Sequence, residues 1–222
     1  MARSGEESRT ALLDAAEELF SVHGIETASL RDISIAAGQR NNSAAQYHFV
    51  DRAGLVAAVF TRRMNDINEH RLQMIADIDA QGVQRDVPAL VAALMVPLIE
   101  YVTSHEGWYG RFLLRTQFDQ FAKLVKNPLP VSVPVIEITH RLSDILTELP
   151  SRIRRARIEQ MMTHYIGVVA DWEWARDQGS TRLSPAELVD DVLATCCGIL
   201  LAPTQVELNT LISKNSSLKE TQ

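Results

Sequence analysis

Apolar residues recur at helical spacing along almost the whole chain, and this pattern restricts the fold more than any other feature. In the first segment, Leu12, Ala16, Leu19 and Phe20 fall on one stripe of a helix between residues 9 and 23. The alternation that marks a half-buried β-strand is not sustained in any segment. We therefore predict an all-α fold.

The first fifty residues contain three short helical segments separated by tight turns. Gly24 ends the first helix, and Ser29 with Asp32 has the spacing of a capping box at the start of the second. Gly38 ends the second helix, and a third is predicted at about 41–48. Three helices this close, with a glycine turn between the second and third, indicate a helix-turn-helix.

The remainder of the chain is predicted to form longer helices. Asp51 is an expected N-cap for a fourth helix, and Ser184-Pro185 is an expected cap and first turn of the last one. Between them we predict helices at about 88–104, 108–125, 135–148 and 151–178, and the last at 185–202. The expected domains are a helix-turn-helix domain at 1–50, a helical ligand-binding and dimerisation domain at 51–212, and a disordered tail at 213–222.

Charge and cysteine content exclude several classes of protein. The net charge of −6 argues against a protein that coats nucleic acid, but residues 1–63 hold seven arginines against eight acids, which leaves room for a small DNA-reading domain on an acidic body. The two cysteines, Cys196 and Cys197, are adjacent, which excludes a disulfide framework. They offer no metal site, and we expect no cofactor.

The N-terminus carries acids and lacks the apolar segment of a signal peptide. The longest apolar run that we consider as a membrane span, residues 192–203, is interrupted by Thr195 and Gly198. The expectation is a cytoplasmic protein without a membrane partner.

The predicted third helix has one apolar and one polar side. Ala45 and Phe49 point inward, so Ser43 and Tyr47 lie opposite, with Arg40 and Gln46 flanking them. Asn42 lies nearer the edge of this face, and Asn41 is expected to cap the helix.

The side chains of this face suit DNA. Amide and guanidinium groups can pair bidentately with adenine and guanine in a major groove, whereas Tyr47 and the Ser29 end of the second helix suit phosphates. A solvated polar helix explains the same residues equally well when they are taken alone.

A family resemblance favours a DNA-binding role for the third helix over a merely solvated polar helix. The chain presents, in order, Gly24, A28-S29-L30-R31-D32-I33, A36-A37-G38, Y47-H48-F49 and D51-R52-A53-G54-L55. Over about residues 9–60 this resembles the DNA-binding domain of the TetR-type (tetracycline-repressor-like) transcriptional regulators. The resemblance implies that Tyr47 and Arg52 contact the DNA backbone. One departure is that eight residues separate Gly38 from Tyr47 where seven are usual. The predicted DNA-binding residues are Ser29, Arg40, Asn42, Ser43, Gln46, Tyr47 and Arg52.

The resemblance also implies a ligand cavity walled by the middle helices. Adaptable and aromatic side chains there give the candidate lining Met95, Leu98, Trp108 and Phe112, although ordinary core packing explains them as well. Arg111 and Arg115 lie one helical turn apart beside these aromatics, and inward-facing arginines need an anionic partner. That partner is either a ligand or an internal acid such as Asp119, and the expected ligand is a small hydrophobic molecule or lipophilic anion.

The last two helices carry more apolar surface than one chain is expected to bury, and the resemblance implies a homodimer through a four-helix bundle. The predicted interface consists of Ile158, Met162, Tyr165, Val169, Leu188, Val192, Cys196 and Ile199.

These observations predict a homodimeric, ligand-responsive transcriptional regulator, with release of a repressor from pseudo-palindromic operator DNA as the expected mode of action. Two alternatives remain open: a helical protein-interaction module without DNA binding, and a helical enzyme. The second lacks any metal-ligand or catalytic-triad pattern around its candidate acid pairs, so we expect no catalysis.

Overall fold

The structure, a computed structural model, describes residues 5–39, 44–118 and 129–204. Within those ranges the chain is helical and forms no strand, which confirms the all-α prediction. The helices are α1 Gly5–His23, α2 Leu30–Ala36, α3 Ala44–Phe49, α4 Arg52–Ala80, α5 Val87–Ser104, α6 Tyr109–Phe118, α7 Val133–Ile145, α8 Ser151–Asp177 and α9 Pro185–Leu201, with a 3-10 turn at Pro130–Ser132 before α7.

Helices α1 to α3 pack as the helix-turn-helix that the sequence predicts. Ser29 is the N-cap of α2 and its hydroxyl accepts from the backbone N–H of Asp32. Gly38 has a φ of 66°, a conformation that glycine adopts without the strain a Cβ would cause. The buried residues between the three helices are Leu12, Ala16, Phe20, Ile33, Ala45 and Phe49. The predicted third helix included 41–43, which lie outside the described residues, as does the expected cap Asn41.

Helix α4 joins this unit to the rest of the molecule. Asp51 is its N-cap, as predicted, and one carboxylate oxygen accepts from the N–H of Gly54 at 2.7 Å. The helix runs for 29 residues, and its buried side extends from Leu55 at one end to Ile78 at the other. It contacts α1 through Arg62 and Arg63, and α5 through Arg63 and Arg71.

The larger helical part is built around α5, α6, α8 and α9. Ser184 is the N-cap of α9, as predicted, and it also forms a capping box: its hydroxyl accepts from the N–H of Glu187 while the Glu187 carboxylate accepts from the Ser184 N–H. The bounds of α5, α8 and α9 lie within about one residue of those predicted. Helix α7 begins two residues earlier and ends three earlier, at Ile145. The predicted disordered tail, 213–222, lies outside the described residues.

The most apolar of the described helices is α5, and not the one that contains the run starting at residue 192. Among the described residues it alone has the length and composition to cross a membrane, with a mean hydropathy of 1.7 over 18 residues. Over half of this window, 56%, is buried inside the protein.

Candidate nucleic-acid and ligand sites

Helix α3 presents a polar face held in place from behind. Ala45 and Phe49 are buried, as predicted, whereas Gln46 is exposed and Tyr47 is 85% exposed. The Ser34 hydroxyl donates to the Leu30 carbonyl and accepts from the Ala45 N–H at 3.1 Å, which joins α3 to the buried side of α2. Gln46 and Tyr47 therefore face outward from a helix whose position is fixed by its neighbours.

Of the other five predicted DNA-binding residues, two lie among the residues that the structure describes and three lie outside them. The Ser29 hydroxyl is engaged in capping α2 through Asp32. Arg52 donates from Nη1 to the carbonyl of Glu26 at 3.0 Å, so its guanidinium lies over the turn before α2. Arg40, Asn42 and Ser43 lie outside the described residues. Ser29 and Arg52 thus both make their contacts at or just before the start of α2.

The short link between α3 and α4 contains two features beyond those that the sequence predicts. Val50 has a φ of 63°, a left-handed conformation that is strained for a β-branched residue. A Cβ on Gly54 would lie 2.5 Å from the carbonyl oxygen of Phe49, too close for any side chain. The glycine of the D51-R52-A53-G54-L55 motif therefore lets α3 approach the start of α4.

The predicted ligand-binding residues fall into two groups. Met95, Leu98 and Phe112 are buried in the core, at 2% exposure or less. Trp108 and Arg111 are half-buried and Arg115 is exposed. A ligand role for these residues stays a prediction.

Arg111 has the internal anionic partner that the sequence left open, although the acids differ from the one suggested. Its Nε donates to a carboxylate oxygen of the buried Glu173 at 2.9 Å, and its Nη2 pairs with Asp177. Burial raises the pKa of Glu173, while hydrogen bonds from the backbone N–H groups of Gly110 and Arg111 and from the Arg111 guanidinium oppose that rise. The charge of Arg111 is therefore balanced within the chain. The suggested partner, Asp119, lies outside the described residues.

A cavity of about 870 Å³ lies between the helix-turn-helix unit and the helical body. It is formed by the end of α1 and the turn after it, together with α6 and α8; Ser21, Gly24, Ile25, Arg111, Arg115 and Trp174 are among its lining residues. Arg115 donates from Nε to the Ser21 carbonyl at 3.3 Å across this cleft. Of the six predicted ligand residues, Arg111 and Arg115 line it and the other four do not.

A buried ion pair joins the two parts of the molecule. Glu17 of α1, 2% exposed, accepts from Nε of Arg63 in α4 at 2.7 Å. Burial alone would lower the pKa of Arg63, but the hydrogen bond and charge of Glu17 raise it above its ordinary value. The other Glu17 oxygen accepts from the N–H of Trp108 at 3.3 Å, and the Ser21 hydroxyl donates to the Trp108 carbonyl at 3.0 Å. Both backbone polar groups of the residue before α6 are thus bound to α1.

Comparison with known proteins gives the fold a name. No family model matches the chain, and no curated protein matches it. Among solved structures, the TetR-family transcriptional regulator PfmR from Thermus thermophilus superposes with a TM-score of 0.50 and 14% identity, over 92% of this chain and 100% of its own. The fold is that of the TetR-family regulators. Two further solved structures align over similar lengths: the fatty acid degradation regulator FadR from Bacillus halodurans (TM-score 0.48, 18% identity, 88% of this chain and 99% of that one) and the TetR-like regulator LfrR from Mycobacterium smegmatis in complex with proflavine (0.41, 18%, 89% and 99%).

Within this TetR fold, most of the predicted dimer interface proves to be internal core. Five of the eight residues are at most 2% exposed in the single chain, so they have no surface to offer a partner: Tyr165, Val169, Leu188, Val192 and Cys196. Ile158, Met162 and Ile199 are half-buried against the same core. The prediction chose the most apolar stripe of α8 and α9, and that stripe packs against the chain's own helices.

The opposite side of α8 and α9 is largely exposed in the single chain. It carries small and mixed side chains: Ile153, Gln160, Thr163 and Gly167 on α8, and Ala194, Gly198 and Leu201 on α9. A Cβ on Gly167 or Gly198 would meet nothing within 4 Å. A hydrogen bond of 3.0 Å between His164 and Thr195 holds the two helices together beside this outer face.

The solved structures named above are all those of regulators. In the part of the TetR fold that is described, no group of three or more His, Cys, Asp and Glu side chains is placed to hold a metal ion.

Proposed function

We propose that this protein is a ligand-responsive DNA-binding transcriptional regulator, most simply a repressor released from a pseudo-palindromic operator by a small hydrophobic or lipophilic anionic effector. The observation that carries the proposal is the exposure of Gln46 and Tyr47 on a recognition helix that Ala45 and Phe49 anchor from behind. Gln46 suits a base edge and Tyr47 a phosphate, while Ser29 and Arg52 flank them at the backbone. Such a protein works on chromosomal DNA in the cytoplasm and needs no catalysis.

The proposal includes a homodimer, because one helix-turn-helix reads one half-site. Dimers of this kind place their recognition helices about 34 Å apart, or a multiple of that, so that both enter the major groove on one side of the duplex. The outer face of α8 and α9 is our proposed interface. Gly167, Ala194 and Gly198 would allow two pairs of helices to approach closely, and Ile153 and Leu201 would supply apolar contact.

Trp108 supports a route by which an effector could change DNA affinity. Its N–H and carbonyl are both bound to α1, by Glu17 and Ser21, and it directly precedes α6. A shift of α6 on ligand binding would therefore displace α1 and change the spacing of the two recognition helices. The ligand acts only in so far as it binds the shifted arrangement better than the DNA-binding one.

A gel-shift series tests the DNA-binding part. Wild-type protein is titrated onto the DNA upstream of its own gene at moderate salt, with unrelated DNA as competitor. We expect selective binding, and we expect Gln46→Ala and Tyr47→Ala each to weaken it roughly tenfold to a hundredfold, since a good base or phosphate contact is worth about 1–3 kcal/mol. Gln73→Ala, at an exposed glutamine of α4, is the matched control and should bind like wild type. Equal affinity of all four proteins, or no selective binding by wild type, would contradict the proposal.

A further inference from the structure

Arg71 lies in the core without an opposite charge. It is 2% exposed, in the second half of α4, and its guanidinium faces α5. Burying an arginine removes its hydration, and proteins normally compensate with a carboxylate or phosphate. Burial does lower the pKa of Arg71, but an arginine begins so high that it stays charged near neutral pH.

The acceptors around Arg71 are all uncharged. Nη1 donates to the amide oxygen of Asn68 and to the sulfur of Met64, and Nη2 donates to the carbonyl of Leu94 at 3.1 Å. Nε is buried and has no acceptor at all. One edge of the guanidinium, formed by Nε and Nη2, therefore lacks the two-point partner that its geometry favours.

No carboxylate inside the described structure is free to move to Arg71. Its two buried acids, Glu17 and Glu173, are paired with Arg63 and Arg111. Those two arginines are balanced by the acids, whereas Arg71, the one buried cation among the described residues, is not. Among the described residues, a buried charge without an opposite charge is thus specific to this position on α4.

The other polar groups near Arg71 are two tyrosine hydroxyls, which can donate, and that of Tyr165 also accepts from the guanidinium. Tyr109 and Tyr165 are buried, and burial raises the pKa of each, so both hydroxyls stay protonated. Their hydrogen bonds are long: 3.3 Å from Tyr109 to the Phe60 carbonyl and 3.5 Å from Tyr165 to the Met95 carbonyl. Bonds at that length are weak, so either hydroxyl could turn to a better acceptor at small cost.

We propose that Arg71 is the receptor for a carboxylate with an apolar tail, bound between α4 and α5 with Tyr109 and Tyr165 as additional donors. This deepens the function proposed above, and it rests on that function in so far as the carboxylate is called an effector. The carboxylate would take the Nε and Nη2 edge of the guanidinium. The tail would lie in the buried apolar region next to Met64, whose sulfur contacts the guanidinium, and next to Leu94 and Met95, whose carbonyls accept from Arg71 and Tyr165.

Room for the ligand comes from side chains and backbone that can move. Met64 touches the guanidinium and Met95 lies beside Tyr165, and methionine adapts its shape more readily than other core residues. Pro97, inside α5, has no N–H to donate to the carbonyl one turn earlier. Helix α5 is thereby weakened next to Leu94, where the Arg71 guanidinium is bound.

Calorimetry and thermal unfolding with decanoate, methyl decanoate and acetate test this without DNA. Decanoate should bind wild type and raise its unfolding temperature, while the uncharged ester and the short acid should bind at least tenfold more weakly. The wild-type comparison does not depend on the folding of any variant. Equal binding of decanoate and its ester would overturn the role of the charge, and equal binding of acetate would overturn the role of the tail. The absence of any decanoate binding would overturn the proposal as a whole.

Variants locate the charge. Arg71→Met should lose roughly tenfold to a hundredfold in decanoate affinity, the value of a charge-assisted hydrogen bond, and should unfold at the same or a higher temperature than wild type without ligand, since an unpaired buried charge is gone. Arg85→Met, at an exposed loop arginine, is the control and should respond like wild type.

Loss of binding in Arg115→Met but not in Arg71→Met would overturn the proposal in favour of the cleft. Should Arg71→Met fail to fold, Arg71→Lys keeps the charge and should bind decanoate with reduced affinity; affinity equal to wild type would count against a two-point contact.

The outcome is independent of the gel shift. If decanoate binds through Arg71 and the protein selects no DNA, the proposed function fails and this site stands. If the protein selects DNA and decanoate binds equally well to Arg71→Met, the site fails and the regulator stands.

Discussion

At the scale of single residues, Val50 adopts a backbone conformation that valine disfavours. It lies between α3 and α4, 80% exposed, with a φ of 63° that valine disfavours. Its N–H still donates to the Gln46 carbonyl at 3.1 Å, so the conformation ends α3 in the way glycine often ends a helix. The valine side chain is not required by any buried contact, which means that its strain can be removed by substitution.

Val50→Gly should therefore stabilise the protein by about 1 kcal/mol, since a left-handed conformation costs an L-residue about that much or more. Urea unfolding measures the change. Val83→Gly is the control, because Val83 is also exposed in a turn but has an ordinary φ, and there glycine should be neutral or destabilising. Destabilisation by both substitutions would show that Val50 carries no strain.

At the scale of helices, α1 and α4 are joined by charge as well as by apolar packing. Glu17 is almost fully buried, whereas Arg63 keeps 19% of its side chain exposed and also lies 3.4 Å from Asp14. The two partners therefore differ in their ion pairs: Arg63 pairs with two acids, Asp14 and Glu17, whereas Glu17 pairs with Arg63 alone among the described residues.

Arg63→Met should consequently destabilise the protein by about 3 kcal/mol, because it leaves the Glu17 carboxylate buried and unpaired. Glu17→Gln should be milder, and the double variant should be more stable than Arg63→Met alone. A double-mutant cycle in urea gives the coupling energy. Equal losses that add in the double variant would mean that the pair contributes nothing beyond its separate side chains.

Helix ends could be predicted from the sequence because their chemistry is local. Ser29, Asp51 and Ser184 each bind the backbone within three residues, so the capping pattern is visible in the sequence and fixes where α2, α4 and α9 begin. The partner of Arg111 could not be predicted in this way, since Glu173 lies 62 residues further along the chain. A pairing of that kind depends on how α6 and α8 pack.

The sequence could also not show whether the apolar residues of α8 and α9 pack in the chain's own core or against a partner chain. Tyr165 and Val192 are apolar and regularly spaced, as a dimer interface would be, and a single chain already buries them. The burial of Arg71, by contrast, is visible in the sequence. Arg71 continues the apolar stripe of α4 formed by Met64, Ile67 and Ile75, which predicts an inward-facing charge.

At the scale of the whole molecule, the proposed dimer makes a prediction about mass. Gly198→Trp should fold, since open space surrounds that position in the single chain, but should abolish a dimer formed through the outer face of α8 and α9. Sedimentation equilibrium should give wild type twice the mass of one chain and the variant the mass of one. Ala80→Trp, at the exposed end of α4, should remain dimeric. A dimeric Gly198→Trp would place the interface elsewhere.

The contacts of α1 bear on how the molecule could be recombined with others. Asp14 pairs with Arg62 and Glu17 with Arg63, and the Ser21 hydroxyl donates to the Trp108 carbonyl. All three partners come after residue 50 in the sequence. A chimera joined at residue 50 would keep these α1 side chains but replace every one of those three partners. The transplantable unit for swapping DNA specificity is therefore not the first fifty residues alone. It should extend through Arg63, and the recipient should supply a backbone N–H and carbonyl where this chain has Trp108.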